Sequence, residues 1–361
     1  MFVKSLELEN FRNYKYLNLS FDKGVNILYG DNGQGKTNVL EAIYVSATTK
    51  SHKSSKDKEI IHFDAEEAHI KTILERDELE RRIDMHLRKN KSKGIAVDKV
   101  RLKKAVELLG LLKVVFFSPE DLSIIKNEPD KRRRFVDMEL CQIDSLYVND
   151  LNNYNKILNQ RNTLLKDMYF HPEYKDMLPI YDMQLASYGS RLIKRRKEFT
   201  EELNLIIKEI HKNISGSLEE LIMNYHPSVT EEEFEDTLVK NREKDLKMKM
   251  TCCGPHRDDF SFYSNGINLR TYGSQGQQRS AALSLKLSEI ALVQKITKDN
   301  PILLLDDVLS ELDSKRQNHL IESIGDIQTI LTCTGVDDFI HSRMQVNKVF
   351  NVSNGTITCG N

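Results

Sequence analysis

Gly30-Asp31-Asn32-Gly33-Gln34-Gly35-Lys36-Thr37 carries the pattern G-x-x-x-x-G-K-[ST] in full, and its flanks fit the chemistry of that pattern. Val25-Asn26-Ile27-Leu28-Tyr29 before it reads as a buried strand, and Thr37-Asn38-Val39-Leu40-Glu41-Ala42-Ile43 after it reads as a helix. Three glycines let the backbone curl so that its N–H groups converge on an anion, and the helix N-terminus adds partial positive charge at the same spot. Lys36 is predicted to reach the β- and γ-phosphates of a nucleoside triphosphate, and the Thr37 hydroxyl to sit on Mg²⁺. The competing reading is a glycine-rich turn without a ligand. A complete motif placed between a strand and a helix argues against it.

A second segment completes the pattern. Ile302-Leu303-Leu304-Leu305-Asp306-Asp307 is four apolar residues ending in two carboxylates. A strand buried on both faces delivers charge only at its carboxyl end, where open α/β sheets bind ligands. Asp306 is the expected Mg²⁺ holder, and Asp307 the expected general base or orienter of the attacking water. By itself this pattern also fits a strand followed by a turn; the phosphate loop upstream favours the catalytic reading. Ser310-Glu311-Leu312-Asp313 follows as a helix-capping segment, with Asp313 expected to face the site as well. Tyr272-Gly273-Ser274-Gln275-Gly276-Gln277-Gln278 precedes a long helical stretch. Ser274 suits an N-cap, and Gly276 lets a phosphate approach the backbone; in isolation the segment is equally an ordinary helix start.

Between these segments the hydrophobic period changes. Strands are expected at 2–8, 15–21, 24–29, 67–75, 80–88 and 114–117, with a helix at 36–47 and a polar loop at 51–58. Residues 119–214 show helical spacing instead. Leu151, Tyr154, Leu158, Leu165 and Met168 share one expected face, and Leu185, Tyr188, Leu192, Phe199, Leu203, Ile206, Ile210 and Ile214 another, with His171-Pro172 breaking the two apart. Gly254-Pro255 marks the expected return to sheet, followed by strand 259–263, helix 277–296, strand 301–305, an αβ run over 313–333 and a strand near 347–352. The reading is an α/β ATPase head, residues 1–118 and 251–361, split by a helical insertion over 119–250.

With 361 residues the chain can hold two domains, or one with a large insertion. No apolar run approaches the ~20 residues needed to span a bilayer. Cys252-Cys253 are adjacent, and the five cysteines show no paired spacing, so a zinc site or disulfide framework is not indicated and a cytosolic location is expected. Net charge is −1, but the basic residues cluster: Arg88 to Lys104 carries eight cations against the single acid Asp98, and Lys131-Arg132-Arg133-Arg134 and Lys194-Arg195-Arg196-Lys197 add two more groups. The plain alternative for each cluster is a solvated helix face balanced by nearby acids.

The order phosphate loop, helical insertion, Ser-Gln-Gly-Gln-Gln, then Asp-Asp strand resembles the ABC-type ATPase heads of the SMC family, and within it the RecF group of bacterial replication and repair proteins. Asn10-Phe11-Arg12-Asn13-Tyr14, Phe117-Ser118-Pro119-Glu120-Asp121-Leu122, Pro129 to Asp137, Gly254-Pro255-His256-Arg257-Asp258-Asp259 and Leu305 to Asp313 extend the likeness over nearly the whole chain. The resemblance implies that two protomers sandwich two ATP–Mg²⁺. Ser274, with Gly276 and Gln277, would then act in trans on the γ-phosphate held by Lys36 of the other chain. It also implies Arg12 near the phosphates and Thr332 in the place of the switch histidine of transporter ATPases. A second departure is that no glutamine occurs between Gln34 and Gln142, so the usual Q-loop residue is missing. Both departures suit slow turnover.

The implied role is a slow, DNA-dependent ATPase in a nucleoid-associated cytoplasmic protein. Its ATP-bound dimer would engage gapped DNA at single-strand/double-strand junctions and, with RecR and RecO, help load RecA and trigger the SOS response. Lys53, Lys56, Arg88, Lys89, Lys91, Arg132, Arg133 and Arg195 are the candidate DNA contacts, expected to touch phosphates rather than bases. Two rivals stand beside this reading. A transporter-type ATPase subunit normally keeps its phosphate loop and signature closer together. A structural SMC-type protein needs long heptad arms, which 119–250 cannot supply.

Overall fold

A computed structural model describes residues 1–360 apart from 54, 55, 169, 217 and 336–344. The loop expected over 51–58 therefore includes two positions, 54 and 55, that lie outside the described residues. The chain forms two units, Met1–Asp121 with Leu283–Asn361, and Leu122–Ala282.

The first unit opens with β1 (Phe2–Phe11), β2 (Tyr14–Ser20) and β3 (Val25–Tyr29), then α1 (Lys36–Thr48). It continues with β4 (Glu67–Arg76), β5 (Leu79–Arg88), β6 (Gly94–Val97), β7 (Val100–Arg101) and β8 (Val114–Phe117). Along β4 Ala68, Ile70, Thr72 and Leu74 are buried while their neighbours are not, the period-two signature of a sheet with one wet face. Strands β2-β1-β4-β5-β6-β7 pair antiparallel in that order.

In the second unit short α2 (Leu122–Lys126) leads to α3 (Pro129–Ile143), α4 (Ser145–Asp167) and α5 (Leu178–Ser215). Then come β9 (Leu221–His226), α6 (Phe234–Lys240), α7 (Arg242–Met248), β10 (Asp259–Ser264), β11 (Ile267–Asn268) and α8 (Leu269–Tyr272). α4 and α5 pack together after the expected break. Tyr154, Leu158, Leu165 and Met168, then Leu185, Leu192, Phe199, Leu203 and Ile214, are buried as expected, but Ile207 rather than Ile206 or Ile210 completes the stripe. The last turns advance by fours, Leu203, Ile207 and His211, before a step of three to Ile214. α5, at 38 residues, is the longest helix among the described residues and spans about 57 Å, far below a structural SMC-type arm.

The return to the first unit differs from the expectation. β10 pairs antiparallel with β9, Asp259 opposite His226 through Ser264 opposite Leu221. A strand needs a neighbour for its backbone groups, and this neighbour comes from within the insertion. Residues 251–282 therefore belong to the second unit, and the boundary placed at 251 moves to 283. It falls inside α9 (Gln275–Thr297).

The first unit then adds β12 (Ile302–Asp306), α10 (Ser314–Ile324), β13 (Thr329–Cys333), β14 (Val346–Ser353) and β15 (Thr356–Gly360). The sheet order is β15-β14-β3-β13-β12-β8, parallel except for the β14–β15 hairpin. Val39, Leu40, Ala42, Ile43, Val45 and Ala47 of α1 are buried on all sides, because this helix contacts β1 and β4 of one sheet and β8, β12 and β13 of the other. The core of the head forms around α1, which fixes the helix that must carry Lys36 and Thr37.

Candidate nucleotide site

β3 and α1 are joined by the phosphate loop, and backbone geometry explains its glycines. Gly35, the N-cap of α1, has φ 112°, and a Cβ there would lie 2.5 Å from Asn13 Nδ2 and 2.8 Å from Tyr14 Oη. Gly30 has φ 151°, and a Cβ there would collide with the Val352 carbonyl oxygen. The close neighbours hold the loop. Asn13 Nδ2 donates to Gln34 O at 3.0 Å, Tyr14 Oη donates to Gly35 O at 3.0 Å, and the Asn354 N–H donates to Gln34 Oε1 at 2.5 Å. Asp31, Asn32 and Gly33 stand exposed at the crest. The Lys36 ammonium is folded across the loop, donating to Gly30 O at 2.6 Å and Asp31 O at 3.1 Å.

The two carboxylates arrive at the same edge of the sheet. Parallel register sets Asp306 opposite Thr332, and Thr332 opposite Leu28 just before the loop. Asp306 Oδ1 accepts from Thr37 Oγ1 at 2.6 Å and from Thr332 Oγ1 at 3.0 Å, and Thr332 Oγ1 accepts the Asp307 N–H at 3.0 Å. Thr332 is thus a bracket between the two aspartates. Its hydroxyl, in the place expected for the switch histidine, faces the Asp306 carboxylate and the Asp307 backbone, a positioning role for the pair. Asp307 has φ 54°, a left-handed conformation that aspartate tolerates better than most residues. Burial pushes its carboxyl above the usual aspartate value and the Asp306 charge adds to this, while Lys36 and Lys53 pull the other way. The Thr37 hydroxyl and the Asp306 carboxylate are hard oxygen donors at the loop's end, a set that fits Mg²⁺.

Lys53, expected among the DNA contacts, instead points at this carboxylate, its Nζ 3.7 Å from Asp306 Oδ2. The segment after α1 that carries it is tied down. The Lys53 N–H donates to Ser51 Oγ at 3.0 Å, and Ser51 Oγ donates to Glu41 Oε1. Glu41 is fully buried and receives the Arg12 guanidinium on both oxygens, Nε at 2.8 Å and Nη2 at 2.6 Å, while Arg12 Nη1 reaches Glu59 O at 2.8 Å. Burial alone would raise the Glu41 carboxyl, but the bonds from Arg12 and Ser51 hold it below the usual value. Arg12, expected at the phosphates, is engaged as a brace between β1, α1 and the segment after α1. The sequence signal for this node was an acid in the apolar run Val39-Leu40-Glu41-Ala42-Ile43, which demands a buried cation.

The signature segment lies in the second unit. Ser274 caps α9 in a reciprocal box: the Gln277 N–H donates to Ser274 Oγ at 3.2 Å and the Ser274 N–H to Gln277 Oε1 at 2.9 Å. Gln277 Nε2 also donates to Glu219 Oε1 at 2.9 Å, so its amide is engaged within its own unit. Ser274, Gln275 and Gly276 are exposed. Asp313, expected to face the site as well, is engaged with its own helix. It caps α10, accepting the Arg316 N–H at 2.9 Å and pairing with the Arg316 guanidinium; that backbone bond, with help from the guanidinium, holds its carboxyl below the usual value against the opposing effect of burial.

The basic clusters of the second unit are largely internal. Arg132 is buried and grips Asp259 through Nε at 2.7 Å and Nη2 at 3.1 Å, which removes it from any DNA-facing surface. Arg133 donates to Asp258 O at 2.7 Å, and Arg195 pairs with Asp144, Glu198 and Glu202. Their neighbour Arg196 is buried against Asp258 at 3.0 Å, Asp137 at 2.8 Å and Pro255 O at 2.6 Å. An alternation of cations and acids far apart in sequence hides such pairings. Arg196→Met should leave Asp258 uncompensated and cost roughly 3–5 kcal/mol, measured as a lowered urea midpoint. In the first unit Lys89 pairs with Glu66 and Arg88 donates to Ser92 O, while Lys56 and Lys91 are exposed. No described helix is long and apolar enough to cross a membrane.

Comparison with known proteins agrees with this geometry. "DNA replication and repair protein RecF" of Agathobacter rectalis is 59% identical over 99% of both chains. The protein of the same name from Lachnoclostridium phytofermentans is 58% identical over the full length of both. A solved structure of the recombination mediator protein RecF with ATP, in the RecFOR pathway, is 37% identical and superposes with a TM-score of 0.93, covering 100% of this chain and 98% of that one. Residues 2–358 match the family described as RecF/RecN/SMC N terminal domain, and with full-length relatives this similar the chain belongs to the RecF members of that family, with the ABC-type ATPase head that they share.

Proposed function

We propose that the protein is an ATP-dependent DNA-binding switch of replication and recombinational repair, in which two protomers close on two ATP–Mg²⁺ and hydrolysis separates them. The observation that carries the reading is the convergence of Thr37, Asp306 and Asp307 at the edge of the sheet beside the phosphate loop. Lys36 leaves the carbonyls of Gly30 and Asp31 to neutralise the β- and γ-phosphates. Thr37 and Asp306 hold Mg²⁺, which supplies charge neutralisation at the phosphates when bound. Asp307 orients the attacking water and accepts its proton. Ser274 of the partner subunit, exposed at the start of a 23-residue helix, presents N–H groups and the helix dipole to the γ-phosphate. A contact made only by the γ-phosphate distinguishes ATP from ADP, so ATP favours the dimer by its differential affinity for the closed state.

Pocket sharing has a sharp test. Lys36→Ala and Ser274→Arg chains should each be inactive alone, yet hydrolyse ATP when mixed, because the mixed dimer contains one intact pocket. Full activity of the Ser274→Arg chain by itself would overturn the shared pocket.

The relatives' role in DNA replication and repair, and the RecFOR pathway of the solved structure, support gapped DNA as the ligand and RecR, with RecO and RecA downstream, as partners. Exposed Lys56 and Lys91 are the best remaining backbone contacts. Neutralising either should weaken DNA binding uniformly across sequences and lower the salt slope by about one, read from titrations at several salt concentrations. Unchanged slopes in both variants would move the DNA elsewhere.

A further inference from the structure

Glu67, His69 and His86 lie together on the wet face of the antiparallel sheet. Register pairs His69 on β4 directly with His86 on β5, and sets Glu67 opposite Arg88 two positions along. The intervening Ala68, Ile70, Met85 and Leu87 are buried, so the three polar residues share the opposite face. The imidazole rings stack with centroids 4.1 Å apart and planes 20° from parallel, and Glu67 Oε2 lies 2.7 Å from His86 Nε2. One donor atom from each residue falls within 4.8 Å of the other two. The next strand leaves the position uncovered: β6 sets Gly94 opposite His86, and the nearest atom a Cβ there would meet is His86 Cβ at 3.8 Å. None of the three residues takes part in the nucleotide site.

We propose that Glu67, His69 and His86 form a binding site for a divalent transition-metal ion, best probed with Zn²⁺, with a fourth position open to water. Two imidazoles and one carboxylate are the donor set of open tetrahedral zinc sites, whereas Mg²⁺ and Ca²⁺ prefer oxygen alone, so this site does not compete for the ion of the ATP pocket. Metal–ligand bonds of about 2.0–2.2 Å require the donor atoms to close to roughly 3.4 Å, which side-chain rotation on two fixed strands supplies. As the ion takes the place of the hydrogen in the Glu67–His86 bond, the neutral ring carries its one N–H on the other nitrogen, so the exchange balances without an added acid or base. A bound ion clips β4 to β5 on the side away from the core and stabilises the sheet by mass action.

The test is a calorimetric titration of the full chain with ZnCl₂ alone, in parallel with a thermal melt. The parent should take up one equivalent that the His69→Ala/His86→Ala chain does not. Either single histidine variant should bind at least about tenfold more weakly, with Glu67→Gln intermediate. Zn²⁺ should raise the melting temperature of the parent and not of the double variant. ATP binding by the variants reports that they fold, and the single variants carry the test if the double one does not. Equal Zn²⁺ uptake by parent and double variant would assign the ion to other groups such as the cysteines, and no uptake by the parent would reduce the cluster to a hydrogen-bonded surface pair; either result overturns the proposal.

Discussion

Lys36→Ala is expected to abolish ATP binding at concentrations that saturate the parent and, with it, the ATP-dependent dimer. The ammonium is buried under the loop and donates to the main-chain carbonyls of Gly30 and Asp31, neutral partners that it can exchange for phosphate oxygens. Each charge-assisted bond to phosphate is worth about 1.5–3 kcal/mol, and two of them correspond to a loss of at least about a hundredfold in affinity. Alanine is the best helix former at this first position of α1, and the loop keeps its ties to Asn13, Tyr14 and Asn354, so the fold should survive. Sedimentation velocity with and without ATP–Mg²⁺ reads the outcome. An ATP dimer of parental strength in this variant would contradict the assignment of the phosphate loop.

The parts legible in the sequence were those where one local rule decides the structure. The phosphate loop is a backbone shape that only its glycines allow, and the Asp306-Asp307 strand is apolar until it reaches the ligand edge. The strands flanking Asp77-Glu78 alternate cleanly, and both turn residues adopt left-handed conformations. β15 went unrecognised although Asn354-Gly355, again both left-handed, is a strong hairpin signal. What stayed hidden depended on partners distant in sequence. β9 is six residues of ambiguous alternation whose strand character comes from pairing with β10. The clusters at 131–134 and 194–197 looked like a nucleic-acid surface because Asp259 and Asp258, which pair with buried Arg132 and Arg196, lie more than sixty residues away in the chain. Lys53 looked like one more loop cation, and only the tether through Ser51 to Glu41 aims it at Asp306.

Asp307→Asn should leave ATP binding and dimer formation intact while lowering hydrolysis by about 10²–10⁴-fold, the usual contribution of a positioned base. Asparagine is isosteric and tolerates the left-handed φ of 54°, and the backbone bond from position 307 to Thr332 Oγ1 does not involve the side chain, so the carboxylate pair keeps its scaffold. What is lost is a carboxylate partly withdrawn from water and set beside Asp306, an environment that makes it a stronger proton acceptor than a free aspartate. Under the proposal that hydrolysis opens the dimer, the variant should accumulate as a long-lived ATP dimer on gapped DNA. Single-turnover hydrolysis and the lifetime of the DNA complex should therefore change in opposite directions, one falling as the other rises. A variant that turns over ATP at the parental rate would remove Asp307 from the role of base, and one that loses hydrolysis without gaining lifetime would show that hydrolysis does not release the clamp.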